Sequence, residues 1–447
     1  MEIFTETECH PLPDGEVRVL GAVRCVTGAM TRVEMGGRKL LIDCGKPQGN
    51  EARGWSFPQE AADSDALILT HGHFDHVGAI GDLWKKDWTG PILGTRATLD
   101  IARIVLEDSC HLTHWSPKDT KIFLEWYDSS TNALRYDHPD ARIDGFDGTL
   151  VLREAGHILG SASVELVSPL SRVILSGDLG RPETPILRDP NRTWDDSRPV
   201  DFVLMESTYG NRVHETEPEE VEAKLLEVIR WAQEQRGHII VPAFAIGRTQ
   251  TLLYHLNALV ESGRVDGLPV AVDTPMGLNV TATYQRFKPL FDREALELYA
   301  HGDDPFVFED LYAVNRGRDS AKLDDVEGPM LIIAGSGMCT GGRVVRHLQE
   351  LLRDPRTTVL FVGYQADGTP GRRIQEAAKD GGSVWLSGED VVVKAKIETL
   401  SGLSAHADGP SLAAWFKSIP GVKRVGFHHG DPEAQRGLAE LVRGGLS

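Results

Sequence analysis

His71-Gly72-His73-Phe74-Asp75-His76 sets three imidazoles and one carboxylate within six residues, after the apolar run Ala66–Thr70 (ALILT) and before Val77–Trp84 (VGAIGDLW). The first run reads as a short buried strand and the second as the start of a helix, so the cluster lies on the turn between them. There His71 and His73 can lean toward one cation, while Asp75 and His76, at the helix start, lean toward a second. A lone histidine is ordinarily a satisfied core or surface residue, whereas four ligand-type side chains on one turn make a metal site. Imidazole and carboxylate donors suit zinc ahead of manganese or iron.

Working outward, EVRVLGAVRCVTGAMTRVEMGGRKLLIDCG from Glu16 reads as paired strands with glycine turns, the last ending at Asp43. Downstream, Thr95–Ser116 has helical periodicity and carries His111 and His114; with no carboxylate beside them, these read as a solvated helix face. Residues 117–148 are charged and aromatic without clear periodicity, and no task is assigned to them. Thr149–Arg153 and Ser163–Val167 read as strands flanking Ala155-Gly156-His157, and Ser171–Leu175 leads into Ser176-Gly177-Asp178. A carboxylate on a strand-end turn can offer one oxygen to each of two cations. Asp201–Tyr209 (DFVLMESTY) is a strand that delivers Glu206 into a turn.

The pattern then changes. After an amphipathic helix at Pro218–Trp231, strand, glycine-bearing loop and helix recur: HIIVPAF then IGRTQTLLYHLNAL, LPVAVDT then PMGLNVTATYQRF, MLIIAGS then GMCTGGRVVRHLQELL, TVLFVGY then QADGTPGRRIQEAA. Such alternation predicts a parallel sheet flanked by helices, with loops at helix N-termini where free amides can hold phosphates. The sharper phosphate motifs fail: Gly335-Ser336-Gly337-Met338-Cys339-Thr340 lacks the third glycine of GxGxxG, and no GxxxxGK[ST] occurs. Beyond it, Val391–Thr399 alternates as a strand leading to Ser404-Ala405-His406-Ala407-Asp408, and the strand Val422–Phe427 ends in His428-His429-Gly430-Asp431.

HxHxDH after a strand resembles the metallo-β-lactamase fold superfamily. DFVLMESTY, SAHAD and HHGD resemble motifs A, B and C of its β-CASP branch, the nucleic-acid-processing members; Asp431 stands where glutamate is more usual, which removes no ligand. The resemblance implies a metallo-β-lactamase αββα sandwich with an inserted β-CASP α/β cap domain, the closest likeness being to the catalytic nuclease of pre-mRNA 3′-end processing and its short bacterial and archaeal relatives. It divides the chain into 1–207 and 392–447 for the catalytic domain and 208–391 for the cap. It implies two zinc ions, one on His71, His73, His157 and Asp178 and the other on Asp75, His76, His429 and the shared Asp178. Asp43 would orient a ligating histidine, with a turn cap as the alternative. His406, oriented by Glu206, would be the general acid, with Asp75 also in the catalytic set. GRTQ, SGMCTGG and GYQADGTPGR resemble substrate-groove segments, making Arg248, Thr249, Ser336, Gly337, Met338, Arg343, Tyr364 and Arg372 candidate RNA contacts.

The implied activity is zinc-dependent hydrolysis of single-stranded RNA, endonucleolytic or 5′-exonucleolytic, in a groove that binds by stacking and phosphate contacts. The rivals are an Artemis-like DNA nuclease, which carries valine at motif C; a glyoxalase- or lactamase-type hydrolase of small molecules, disfavoured by the cap and Glu206; and an inactive RNA-processing scaffold, disfavoured by the filled ligand positions. A homodimer is compatible with the resemblance.

Composition bounds this reading. The 447 residues allow two or three domains. Lys+Arg 47 against Asp+Glu 66 gives a net charge of −19, which repels polyanions generally and requires that an RNA be held by local arginines and helix ends. Five cysteines without CxxC spacing fit reduced thiols and a cytoplasmic protein. The acidic N-terminus MEIFTETECHPLPDG has no apolar core and no later run reaches bilayer length, so no membrane partner is expected.

Overall fold

The computed structural model describes residues 1–5, 8–139, 143–214 and 218–444, which form two compact units, Met1–Val213 with Ala405–Ser447, and His214–Ser404. The first unit contains two sheets. One runs Glu2–Phe4, Arg424–His428, Phe202–Glu206, Arg172–Leu175, Ala162–Val167, Thr149–Glu154; the other runs Cys9–Leu12, Gly15–Gly21, Met30–Met35, Arg38–Ile42, Ala66–Ile68, Ile92–Thr95, Thr131–Leu134. Val17, Val33, Leu40 and Ile68 of the second sheet share one buried core with Leu150, Val164, Leu175, Phe202 and Leu204 of the first. The sheets are therefore stacked face to face, each such side chain contributing about 1.5–3 kcal/mol on burial.

The outer faces carry helices. Ile174, Val203, Met205, Val425 and Phe427 meet Leu412 and Phe416 of the helix Gly409–Lys417 and Leu438 and Val442 of the helix Pro432–Gly444. Arg96–Leu112 packs on the strand Ile92–Thr95 and on the helix Pro117–Ser130. This is the expected αββα sandwich. The segment left unassigned as 117–148 thus supplies a helix and the strand Thr131–Leu134, apart from 140–142, which lie outside the described residues. Its start was written in Ser116-Pro117-Lys118-Asp119: the Ser116 hydroxyl accepts the Asp119 N–H at 3.1 Å and Pro117 takes the first helical position.

The second unit is an α/β layer in which Leu311–Ala313, Val270–Asp273, Met330–Ala334, His238–Pro242, Thr358–Phe361 and Lys396–Thr399 form a sheet with every pairing parallel. The run 391–399 is not one strand: Glu389–Val392 forms a hairpin with Ser383–Leu386, and Lys396–Thr399 pairs with Thr358–Phe361. That pairing keeps the chain in the inserted unit as far as Ser404, so the closing boundary lies beyond the expected 391, and the opening one lies after Val213 rather than after 207.

Candidate metal centre

The strands Arg172–Leu175, Phe202–Glu206 and Arg424–His428 are mutually parallel, so Asp178, Glu206 and His429 emerge at one edge of their sheet. Ala66–Ile68 of the facing sheet delivers His71 and His73 to the same place, and the short helix Phe74–Val77, entered from His73, carries Asp75 and His76. His157 follows the strand Thr149–Glu154. Its loop meets that of Asp178 at close range: Gly180 donates to Ala155 O at 2.8 Å, and a Cβ at Gly180 would lie 1.8 Å from the Gly156 carbonyl oxygen. Only glycine permits that approach.

His71 Nε2 and His157 Nε2 each lie 3.1 Å from His73 Nδ1, and 3.5 and 3.7 Å from Asp178 Oδ2. A tetrahedral cation with bonds of about 2.0–2.1 Å holds its donors about 3.3 Å apart. Alongside, His76 Nε2 is 3.3 Å from Asp178 Oδ2, His429 Nδ1 is 3.3 Å from Asp178 Oδ1, and His429 Nε2 is 3.4 Å from Asp75 Oδ2. The ligand atoms thus fall into two sets, His71, His73, His157, Asp178 and Asp75, His76, His429, each within 4.8 Å, with Asp178 between them. His76 Nε2 and Asp178 Oδ1 are buried without a hydrogen-bond partner, as donor atoms suited to a shared cation would be.

The surroundings set each ring for this task. Asp43 accepts the Thr70 N–H at 2.8 Å and the Thr70 hydroxyl at 2.7 Å, and its Oδ2 is 2.7 Å from His76 Nδ1. With its proton on Asp43, the Thr70 hydroxyl accepts from His71 Nδ1 at 3.1 Å. His157 Nδ1 lies 3.2 Å from Ala405 O, a carbonyl that can only accept. In all three rings a proton is therefore placed on Nδ1 and Nε2 faces the cluster. Thr208, in the turn after Glu206, puts its hydroxyl 3.1 Å from His429 Nδ1. Burial pushes the pKa values of His71 and His157 well down and that of His73 to about 4. Burial would raise Asp178, but His429, His76 and His71 hold it well below the usual carboxylate range. His76 is the exception: burial opposes its charge, yet Asp178 and Asp43 raise it, so a cation bound here would displace its proton.

Beside the cluster, His406 Nδ1 is 3.2 Å from Glu206 Oε1 and 4.0 Å from Asp178 Oδ2. Glu206 is fully buried, its Oε1 also accepting the Leu179 N–H at 2.8 Å and its Oε2 the Thr208 N–H at 3.1 Å. Burial would lower His406, but Glu206 outweighs it and the pKa is raised to about 9.

Residues 24–220 match the metallo-beta-lactamase superfamily, 249–374 the Beta-Casp domain, and 390–445 the Zn-dependent metallo-hydrolase RNA specificity domain. Ribonuclease TTHA0252 of Thermus thermophilus is 35% identical over 94% of each chain. The chain belongs to the β-CASP family of the metallo-β-lactamase superfamily. Transcription termination factor FttA of Pyrococcus abyssi is 31% identical over 85% of this chain and 59% of its own length, and that of Methanocaldococcus jannaschii 29% identical over 96% and 68%. A structure of a protein of unknown function from Enterococcus faecalis shares the fold, with a TM-score of 0.53 at 11% identity over 94% of this chain and 95% of that one. The β-CASP chain therefore has a hydrolase fold that binds divalent metal, and its His and Asp clusters fit such ions.

The candidate RNA contacts collect at the C-terminal edge of the inserted parallel sheet, on loops following His238–Pro242, Met330–Ala334 and Thr358–Phe361. Arg248 opens the helix Arg248–Glu261 and Tyr364 is exposed. The Ser336 hydroxyl is 3.1 Å from that of Thr340, and Met338 O accepts the Gly371 N–H. Two of these residues are engaged within the inserted unit. Thr249 is buried with its hydroxyl donating to Phe244 O at 2.8 Å, and Arg343 spends its guanidinium on Asp273 at 2.6 Å, Val314 O and Asn315 O. The Thr249 hydroxyl thus has its proton engaged, and Arg343 has three of its five N–H donors engaged, within the domain. Arg372 retains exposure but shares its charge with Glu376 at 2.8 Å. His111 and His114 are exposed at the C-terminal end of Arg96–Leu112, away from either cluster.

Proposed function

We propose that the protein is a zinc-dependent ribonuclease that hydrolyses phosphodiester bonds of single-stranded RNA to 5′-phosphate and 3′-hydroxyl ends, with two zinc ions sharing Asp178. The observation that carries this reading is the hydrogen-bonded His406–Glu206 pair set beside two adjoining ligand sets. His71, His73, His157 and Asp178 would hold one ion, and Asp75, His76, His429 and Asp178 the other. When bound, such ions supply positive charge to the phosphoryl group and activate water for attack.

The ribose 3′-oxygen is a poor leaving group unless protonated. Against the effect of burial, Glu206 raises the pKa of His406, which favours the protonated ring, and by accepting from Nδ1 it leaves the Nε2 proton for that oxygen. As water adds to phosphorus, releasing a proton to solvent, and the P–O3′ bond breaks, His406 gives its proton to O3′ and later regains one from solvent, while Glu206 holds the ring's orientation. Similarity to Ribonuclease TTHA0252 and to the RNA specificity domain supports RNA as the polymer.

The test is cleavage of one internally labelled single strand bearing a 5′-hydroxyl, monophosphate or triphosphate, by wild type and by His406→Ala. Internal fragments from all three strands establish an endonuclease, and mononucleotides from the monophosphorylated strand alone a 5′ exonuclease. Absence of cleavage by zinc-loaded wild type refutes the proposal.

A further inference from the structure

We infer that Phe244 is a stacking platform for one base of the bound strand, at the C-terminal edge of the inserted sheet; this rests on the reading of RNA as substrate. Phe244 follows the wholly buried strand His238–Pro242 and is nevertheless 41% exposed, the only exposed phenylalanine among the described residues. It is not loose. Its carbonyl accepts both the backbone N–H and the hydroxyl of Thr249, and its neighbour Ala243 donates to Ala334 O at 3.0 Å.

The ring's environment shows which surface it presents. A Cβ built on Gly337 would lie 2.8, 2.9 and 3.0 Å from Cδ2, Cε2 and Cγ of Phe244. Near-equal distances to three consecutive ring atoms arise only above the face, since an edge-on approach would leave the flanking atoms markedly further away. Gly337 therefore covers one face of the ring, and any side chain there would push the ring off. A Cβ on Gly363 would sit 3.7 Å from Cε2, in ordinary contact. With one face seated on glycine backbone, the exposed area belongs to the other face and rim. Tyr364, next to Gly363 on the loop of the adjacent parallel strand, is 52% exposed, so a second aromatic lies at the same edge.

A rigid aromatic with one open face at the strand-end edge of a parallel sheet is the place for a flat, uncharged ring. Bases stack on such surfaces in single-strand recognition, and the net charge of −19 does not oppose a neutral base as it opposes phosphates. Arg248, four residues on, opens the following helix. This separates two tasks on one edge: Phe244 takes a base, while arginines take the backbone.

The test is an abasic scan in the zinc-loaded full-length protein. A fluorescent phosphorothioate-linked oligoadenylate is compared with strands lacking the base at one position at a time, by anisotropy. Wild type will show one position, or two adjacent ones, where loss of the base weakens binding about 5- to 150-fold. Phe244→Leu keeps apolar volume over Gly337 but removes the aromatic face; it will bind the intact strand more weakly by a similar factor and lose that position from its scan. Phe244→Trp will keep it. A flat wild-type scan with tight binding, or a Phe244→Leu scan and affinity equal to wild type, overturns the platform while leaving the ribonuclease reading intact. Wild type that neither binds this strand nor cleaves its phosphodiester counterpart overturns the substrate reading and the platform with it.

Discussion

Asp43→Asn changes one atom of a buried side chain and reaches two histidines. Asp43 receives three donors: Thr70 N–H on Oδ1, and the Thr70 hydroxyl and His76 Nδ1 on Oδ2. An amide in its place brings an NH2 group that must face one side or the other. Turned toward Oδ2's position, it opposes the His76 Nδ1 proton; turned the other way, it opposes the Thr70 N–H. Either orientation leaves a buried donor facing a donor, at a cost of about 1–3 kcal/mol. In the first orientation the Thr70 hydroxyl accepts from the amide and loses the acceptor of its own proton; the ring nitrogen within reach is His71 Nδ1, and donating to it moves that ring's proton to Nε2, into the ligand cluster. The variant must then spend free energy to present Nε2 lone pairs, and cation affinity falls about 10- to 100-fold, matching the penalty above on conversion. Competitive chelator titration reads this directly, with far-UV circular dichroism as the check on folding. A folded Asp43→Asn with wild-type cation affinity would refute the claim that this carboxylate sets the rings.

Other outcomes follow from the same geometry. His406→Ala will keep its cations and melt near wild type while turnover falls about 10²- to 10⁴-fold; a folded variant with near-normal turnover would remove His406 from the chemistry. Arg248→Ala and Arg372→Ala will each weaken RNA affinity and lower the magnitude of the salt slope by about one counterion; wild-type affinity and slope in both would take these arginines out of the RNA contact. His347 is buried between Asp273, 2.7 Å from Nε2, and Asp324 on Nδ1; burial opposes its charge, but the carboxylates outweigh it and raise its pKa above 6.5. A pKa raised in the native state gives stability that is fully present below the unfolded value and is lost as pH climbs through the native one. The gap in urea midpoint between wild type and His347→Asn will therefore be widest below about pH 6.5 and will narrow at higher pH; a gap that widens with pH would contradict the sign.

Much of the centre was readable in the chain because its ligands are announced by short motifs at strand ends, where side-chain type and position coincide. HGHFDH needs only one turn of backbone to bring four donors together, and His157, Asp178 and His429 each end or follow an apolar run. The partners that place the protons were not readable. Ala405 acts through its carbonyl, which every residue has, and Thr208 and Thr70 matter only because the fold brings His429 and Asp43 beside them. Arg343 and Thr249 show the reverse: guanidinium and hydroxyl at a helix start suit a phosphate, but the fold engages part of the Arg343 guanidinium with Asp273, distant in sequence, and the Thr249 hydroxyl with the Phe244 carbonyl five residues before it. Phe244 gave no signal, since an apolar residue after a buried strand reads as core until the glycine beneath it is seen. The helix Pro117–Ser130 was hidden by its charge, although its Ser-Pro-x-Asp start is a capping signature.

The account stands most directly on the number of cations. Elemental analysis of the purified protein, saturated with zinc and freed of excess by gel filtration, will give two ions per chain. His76→Ala will give one, because His76 serves the set completed by Asp75 and His429 and not that of His71, His73 and His157. One tightly held ion in wild type, unchanged in His76→Ala, would contradict the shared-Asp178 centre from which the proposed chemistry is derived.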